Sequence, residues 1–365
     1  IIQLSKFLKM IRSVIAGIGK YLPARVVTNA DLAQFMDTSD EWIQERTGIK
    51  ERRYAEKHLE TTTTMGARAA EIAIARAGIT PNDIDFIIFA TLSADYYFPG
   101  CGVLVQRELG ITKSEIGALD VKVQCSGFVY AISVADQFIK SGMYKNILVI
   151  GAEMHSMGLD FSTRGRTVSV IFGDGAGAVV LQPTKSKKRG ILNTKLHSDG
   201  TNAEKLSMIN PGSHGGYHFN KMGQDIDFGF PDKDVLGEIF MTQGMLDNAQ
   251  NYPLMEGQLV FKTAVQKFPE VILESLHAAN LQISDLKMLV PHQANLRISQ
   301  FIQKKLGLQD SQVWNNIQRY GNTTAASIPI ALCEAFEAGA IQKGDLVCLA
   351  AFGSGFTWGA VLMNW

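Results

Sequence analysis

The sequence predicts an α/β fold made of two copies of one unit, and three observations carry that prediction. Apolar runs of strand length, such as IDFIIFATLS and NILVIGAEM, alternate with helical runs, as in parallel sheet covered by helices. The order of elements then returns: VILESLHAANLQISDLKMLVPHQ echoes EIAIARAGITPNDIDFIIFATL, and YGNTTAASIPIALCEAFEAG echoes VQCSGFVYAISVADQFIKSG. The spacing is constant, since Leu109 pairs with Leu306, Cys125 with Asn322 and Gly142 with Gly339, each 197 residues apart.

In chain order, Ile11 to Gly19 reads as a strand, and Ser39 or Asp40 caps a short helix that Gly48 stops. On that helix Trp42 and Arg46 lie four apart and share a face, either stacking on an adenine and holding a phosphate or forming a plain surface helix with an Arg46–Glu45 ion pair. Thr62 to Ala77 is helical, IDFIIFATLS is a buried strand and VLVQRELG is a helix. Leu119, Val121 and Val123 suggest a buried strand leading into Gln124-Cys125-Ser126-Gly127, after which Phe128, Ile132, Ala135 and Ile139 repeat at helical spacing until Gly142. NILVIGAEM is another buried strand, and RTVSVIFGDGAGAVVLQP reads as two strands around a glycine turn. The polar, basic PTKSKKRG marks the boundary between a first half, 11–184, and a second half, 185–365. Residues 201–255 lack the repeat and read as an inserted cap or lid, with a short helix in LGEIFMTQGMLDNA. Residues 1–10 read as an N-terminal extension, vector-derived or upstream sequence, with Met10 a candidate start.

Composition narrows the function classes. Of the 365 residues 46% are hydrophobic and 19% charged, which fits a folded protein with a large interior. Lys+Arg and Asp+Glu balance at 35 each, so no overall field favours nucleic acid or a membrane surface. No apolar run has bilayer-spanning length. Cys101, Cys125, Cys333 and Cys348 show neither metal spacing nor a disulfide framework, and a reducing cytoplasm is expected.

Three polar residues stand at the predicted ends of buried elements: Cys125, His292 in LVPHQANLRI and Asn322 in RYGNTTAASIP. Cys125 faces a predicted helix N-terminus, which favours a thiolate, against the bland reading of a small buried hydrophobe. His292 follows a strand, where open α/β sheets bind ligands. With the helix helping the sulfur, His292 and Asn322 are left to donate hydrogen bonds to an enolate oxygen, the need of a decarboxylative carbon–carbon condensation. GDGAGA is not a dinucleotide fingerprint and AFGSGFTWG is not a serine-hydrolase elbow. The amide of Ser354 or Gly355, with that of Cys125, offers an oxyanion hole.

The segments EWIQERTGI, QCSGFVYA, RTVSVIFGDGAGA, HSDG, VFKTAV, PHQANLRI, YGNTTAASIP and FGSGFTWG, in that order, resemble the β-ketoacyl-acyl-carrier-protein synthase III family of the thiolase superfamily over almost all of 11–365. The resemblance implies a thiolase-like fold, two duplicated αβ halves in α-β-α-β-α layers. It implies an acyl-CoA primer condensed with malonyl-acyl-carrier protein, at the start of fatty acid synthesis, through a Cys125 acyl-enzyme. On the same resemblance His292 and Asn322 stabilise the enolate, backbone amides of Cys125 and Ser354 hold the oxyanion, and Trp42, Arg46 and Arg166 contact coenzyme A. Asn295 matches a pantetheine-side contact, Arg297 a carrier-protein docking position, and Phe98 and Cys101 the acyl pocket. A cytoplasmic homodimer with no cofactor beyond the coenzyme A thioester substrate is implied as well. Ser354 where many members have Gly, Leu259 before VFK, the FPGCG run at Cys101 and the long insertion depart from the family pattern and bear on acyl preference. Two other enzyme readings share the fold, head-to-head condensation of long-chain acyl-CoAs and acyl transfer in a polyketide pathway. A non-enzyme reading is an acyl-binding partner subunit.

Overall fold

The computed structural model describes residues 11–113, 115–230 and 240–365; the predicted extension 1–10 and part of the predicted insertion lie outside them. The main sheet of the first half is built from β1 (Arg12–Tyr21), β2 (Phe86–Ala90), β3 (Gly117–Val121), β4 (Ile147–Glu153) and β5 (Gly175–Thr184). They form one sheet in the order β1-β5-β4-β2-β3, with β2 parallel to both β3 and β4 and β5 antiparallel to both β1 and β4. The second half supplies β6 (Gly190–Ser198), β7 (Met288–Pro291), β8 (Leu346–Gly353) and β9 (Thr357–Asn364), ordered β7-β8-β9-β6 with the corresponding directions. The position next to β7 that matches β3 holds an isolated parallel bridge, Leu289 with Val313.

The helices that matter for the site are α1 (Asp40–Thr47), α2 (Thr62–Arg76), α3 (Cys101–Glu108), α4 (Gly127–Lys140), α5 (Gly257–Ala278), α6 (Leu296–Leu306) and α7 (Ser327–Glu337). Burial sorts them into layers. The apolar stripe of α4, Phe128, Ile132, Ala135 and Ile139, shares one core with Ile328, Leu332 and Ala335 of α7 and with side chains of both sheets. Helices α2 and α3 cover the other face of the first sheet, and α5 and α6 that of the second. This is the α-β-α-β-α arrangement. Strands β4 and β8, buried along their whole length, sit at the centre of it, which explains their unbroken apolar runs. Each fully buried Ile or Phe in the α4 stripe contributes about 1.5–3 kcal/mol.

Four expectations are corrected. The strand before Cys125 stops at Val121 and is half-buried, with Leu119 38% exposed, because β3 is the edge of its sheet. The first arm of RTVSVIFGDGAGAVVLQP is not a strand: Arg166–Ser169 is a short helix, and Val170 and Ile171 pack with Val27, Ile43 and Tyr54. The counterpart of Cys125 is Ala325 rather than Asn322. The turns Gln124–Ser126 and Thr324–Ala326 have the same form, each leads directly into a central helix, and Gln124 (φ 42°) and Thr324 (φ 47°) share a left-handed backbone. Because α7 is three residues shorter than α4, the sequence spacing is 200 at the turns and 197 only at the helix ends. Asn322 therefore stands at no strand end; its backbone forms an isolated parallel bridge with Phe172. In the insertion, Leu206–Ser207 pairs antiparallel with Leu254–Met255, and Phe219, Phe228 and Met245 form a small core of their own.

Candidate active site

The turn 124–126 packs against the turn 324–326 and against the end of β8, so the two halves meet at Cys125. The approach of β8 is sterically selected: a Cβ on Gly353 would lie 2.4 Å from the Cys125 Cβ and 2.9 Å from its sulfur. Glycine is the residue that lets this strand end pass. The backbone N–H groups of Cys125 and Ser354 lie near enough to the Cys125 sulfur to favour its anion. Two converging main-chain donors at one point make a place for developing negative charge.

The thiol is not activated in the way its predicted position suggested. Helix α4 begins at Gly127, two residues beyond Cys125, and burial pushes the thiol up to about 12, with the Glu153 carboxylate adding to the rise and the two N–H donors opposing it. Desolvation of the anion outweighs the helix terminus and the backbone donors.

His292 follows β7, next to β8 in the second sheet, and lies within the fold, where burial and the neighbouring His155 push its pKa down to about 3, so the ring is neutral. Its Nδ1 lies 2.6 Å from the Ser327 hydroxyl, on the first residue of α7. That hydroxyl also accepts the Gln293 N–H at 3.4 Å, and when it gives its own proton to Nδ1 the hydrogen of the neutral ring sits on Nε2. Nε2 is buried with no partner among the described residues. An orphaned buried donor is costly unless a ligand group completes it.

Asn322 is held from both sides. Its N–H donates to the Ile171 carbonyl at 2.8 Å, its carbonyl accepts the Gly173 N–H at 3.1 Å, and its Oδ1 accepts the Thr324 N–H at 2.8 Å, which leaves the side-chain NH2 as a donor. Gly321, at φ 64°, makes the turn that brings it there, since a Cβ would lie 2.7 Å from the Ile171 oxygen.

On the outer side, α1 is capped by Ser39 and ended by Gly48 in the left-handed conformation, as predicted. Trp42 is flanked by two guanidinium groups, with Cζ of Arg46 4.5 Å and Cζ of Arg166 5.3 Å from the ring centre. Arg166 also pairs with Asp37 at 3.1 Å, and Arg46 with the exposed Glu45 at 3.3 Å, the contact expected of an ordinary surface helix. Asn295 caps α6 by accepting the Arg297 N–H and donates to the Arg46 carbonyl at 2.9 Å, so its amide is engaged at both ends; Arg297 is exposed in the first turn of α6. Phe98 is 81% exposed, beside Tyr97 and Tyr96, whereas Cys101 is closed into the core between α2, α3 and the first sheet.

The sequence reading missed Glu153, His155 and Ser327. Glu153, fully buried at the end of β4, accepts from the Thr91 and Ser93 hydroxyls and the Leu92 and Ser93 N–H groups, and burial raises it to about 7. A carboxylate ending an otherwise apolar strand run was the available signal.

The family description 3-oxoacyl-[acyl-carrier-protein] synthase III matches residues 119–200, and that of its C-terminal part residues 276–365. The chain is 45% identical over 358 residues to beta-ketoacyl-[acyl-carrier-protein] synthase III of Rhodospirillum centenum, covering 97% of this chain and 99% of that one. It is 44% identical to the protein of the same name from Brucella suis over 98% of this chain and 100% of that one. The crystal structure of 3-oxoacyl-[acyl-carrier-protein] synthase III from Aquifex aeolicus superimposes with a TM-score of 0.83 at 41% identity, covering 97% of this chain and all of that one. With its duplicated thiolase-like layers and near full-length likeness to these proteins, the chain belongs to the β-ketoacyl-[acyl-carrier-protein] synthase III family.

Proposed function

We propose that the protein is the acyltransferase that opens fatty acid synthesis, condensing an acyl-CoA primer with malonyl-acyl-carrier protein through an acyl group carried on Cys125. The observation that carries the assignment of roles is the pairing of a buried sulfur, with two main-chain N–H groups near it, and a neutral His292 whose Nε2 has no partner among the described residues. In the first step the Cys125 sulfur attacks the thioester carbonyl, the oxyanion rests on the N–H groups of Cys125 and Ser354, and coenzyme A leaves with the thiol proton. In the second, the malonyl group loses carbon dioxide, and its enolate oxygen accepts hydrogen bonds from His292 Nε2–H and the Asn322 NH2. The enolate carbon then attacks the Cys125 acyl carbonyl and the sulfur departs, leaving a β-ketoacyl-carrier protein.

Trp42 and Arg166 fit an adenine, and Arg46 a phosphate, at the mouth of this route, with Arg297 a docking contact for the acidic carrier. The committed amide of Asn295 supports a structural hold on Arg46 more than a pantetheine contact. The buried Cys101 supports a role in packing more than in the acyl-pocket wall. A homodimer that covers Phe98 and the edge strand β3 accounts for the exposed aromatic run Tyr96–Phe98. Among the described residues no helix is long and apolar enough to cross a membrane. Long-chain head-to-head condensation, polyketide acyl transfer and a non-catalytic partner role are not favoured, since relatives at 44–45% identity bear the synthase III name and Cys125, His292 and Asn322 are all present.

Intact mass after incubation with acyl-CoA tests the first step: Cys125→Ala takes no acyl group. His292→Ala and Asn322→Ala still acylate but release no carbon dioxide from malonyl-carrier protein. Normal condensation by those two variants would refute their assigned roles.

A further inference from the structure

His155 belongs to none of the sequence motifs and touches both flanks of Asn322. It follows β4 and is buried, and its Nε2 lies 2.7 Å from the hydroxyl of Thr324, whose N–H in turn holds the Asn322 Oδ1 at 2.8 Å. On the other side its ring lies 4.6 Å from the ring of Phe172, the residue whose backbone bridges to Asn322. One imidazole thus contacts the residue two positions after Asn322 and the strand-like neighbour beside it.

Thr324 explains why such a contact is needed. It has φ 47°, a left-handed conformation that a β-branched residue adopts only when its surroundings enforce it. Without that conformation the Thr324 N–H would not point back to Oδ1, and the Asn322 amide would be free to turn its oxygen rather than its NH2 toward the cavity. The enforcing contacts are the hydroxyl bond to His155 and the main-chain N–H bond to Asn322 itself. Burial pushes the His155 pKa down to about 3, so the ring stays neutral and packs at a tilt against Phe172 without bringing a charge next to His292.

We propose that His155 is a positioning residue for the decarboxylation step: by gripping the strained Thr324, it fixes the Asn322 side chain with its NH2 presented to the enolate oxygen. The inference rests on the role given to Asn322 above. It concerns the second half-reaction, because the Ser354 N–H near the Cys125 sulfur follows β8, whereas the Thr324 N–H is held by the Asn322 amide.

The test separates the half-reactions in the full-length enzyme. His155→Phe keeps a ring against Phe172 and removes the hydrogen bond; Thr324→Val removes the same bond from the other side. Each is expected to lower carbon dioxide release from malonyl-carrier protein about 100-fold while acylation by acyl-CoA stays within about twofold. Because both delete one interaction, the double variant should be no slower than either single one. Adding Thr324→Gly to His155→Phe should recover about tenfold, since glycine takes a positive φ without outside help. Unchanged carbon dioxide release in both single variants would overturn the proposal. So would a parallel fall in acylation, which marks general loosening, or an absence of recovery with glycine. Asn322→Ala serves as the reference: if it decarboxylates normally the role of Asn322 itself falls, whereas an inactive Asn322→Ala beside a normal His155→Phe removes only His155.

Discussion

Gly353 and Cys125 come from opposite halves of the chain and touch without room for one more carbon, a Cβ on Gly353 falling 2.9 Å from the sulfur. Since the turn before α4 and the strand end of β8 are both packed among buried residues, neither can retreat. Gly353→Ala should therefore push the sulfur away from the Ser354 N–H and cost about 1–3 kcal/mol of stability through overpacking. The informative readout is the rate of acyl-enzyme formation by intact mass. It should fall by about 100-fold or more, as expected when an oxyanion donor is misplaced. A variant that unfolds a little earlier yet acylates normally would show that the contact serves packing alone.

In the role proposed for His292, the Ser327 hydroxyl donates to Nδ1 and leaves the hydrogen on Nε2. In Ser327→Ala the Nδ1 loses its donor, the ring becomes free to take the other tautomer, and Nε2 would present a lone pair to an enolate that needs a proton donor. Decarboxylation of malonyl-carrier protein should drop by about 10–100-fold, the range for lost second-layer hydrogen bonds to a working histidine. Ser327→Thr, which keeps the hydroxyl, should retain most of the rate. Acylation should be unaffected in both, and a loss of acylation in Ser327→Ala would point to damage at the α7 N-terminus instead.

The strands and helices were legible because strong periodicity survives burial: β4 and β8 are apolar throughout, and the α4 stripe lies where its spacing put it. The duplication was visible too, but its register slipped at the turns, where the deletion in α7 is silent in sequence and only the left-handed backbones of Gln124 and Thr324 fix the match. Cys125 and His292 stood out as polar residues just after apolar runs, and Asn322 through the repeat that set it against Cys125. His155 and Ser327 did not, since a serine at a helix start and a histidine after a strand are ordinary. Their part depends on a partner more than 30 residues away, which no local pattern encodes. The direction of the Cys125 pKa was misread for a related reason: a helix terminus can be read from sequence, but the amount of solvent removed from the sulfur cannot.

Two guanidinium groups, of Arg46 and Arg166, lie over the Trp42 ring. If an adenine stacks there, Trp42→Ala removes about 1–2 kcal/mol of stacking and cation–π attraction. The KM for acyl-CoA should then rise about tenfold with kcat nearly unchanged. Arg166→Ala should act similarly, although it also frees Asp37, its ion-pair partner. The control is acylation from a truncated acyl-pantetheine thioester, which lacks the nucleotide and should not distinguish the variants from the parent. A tenfold loss with that truncated donor as well would mean that Trp42 acts on the fold of α1.

Glu153 gives a pH signature opposite in sign to that of the buried histidines. Its carboxyl is raised to about 7 in the folded protein by burial, against 4.5 for the free side chain, so between these values the folded state holds a proton that the unfolded state has released. The stability contributed by the neutral carboxyl is complete below about pH 4.5 and is lost as pH rises through 7, to a limit of roughly 3 kcal/mol. His155 and His292, lowered to about 3, behave the other way: their contribution is complete above about pH 6.5 and is lost as pH falls. Glu153→Gln removes only the first term. Whatever its fixed cost in mismatched hydrogen bonds, the difference in stability between Glu153→Gln and the parent should move in favour of the variant between pH 5 and pH 8, measured by denaturant unfolding at each pH. Because the carboxylate also raises the Cys125 thiol, the same variant should be alkylated faster by iodoacetamide at pH 8. A pH-independent stability difference would mean that Glu153 keeps an ordinary carboxylate pKa, held ionised by the Thr91 and Ser93 hydroxyls and the Leu92 and Ser93 N–H groups.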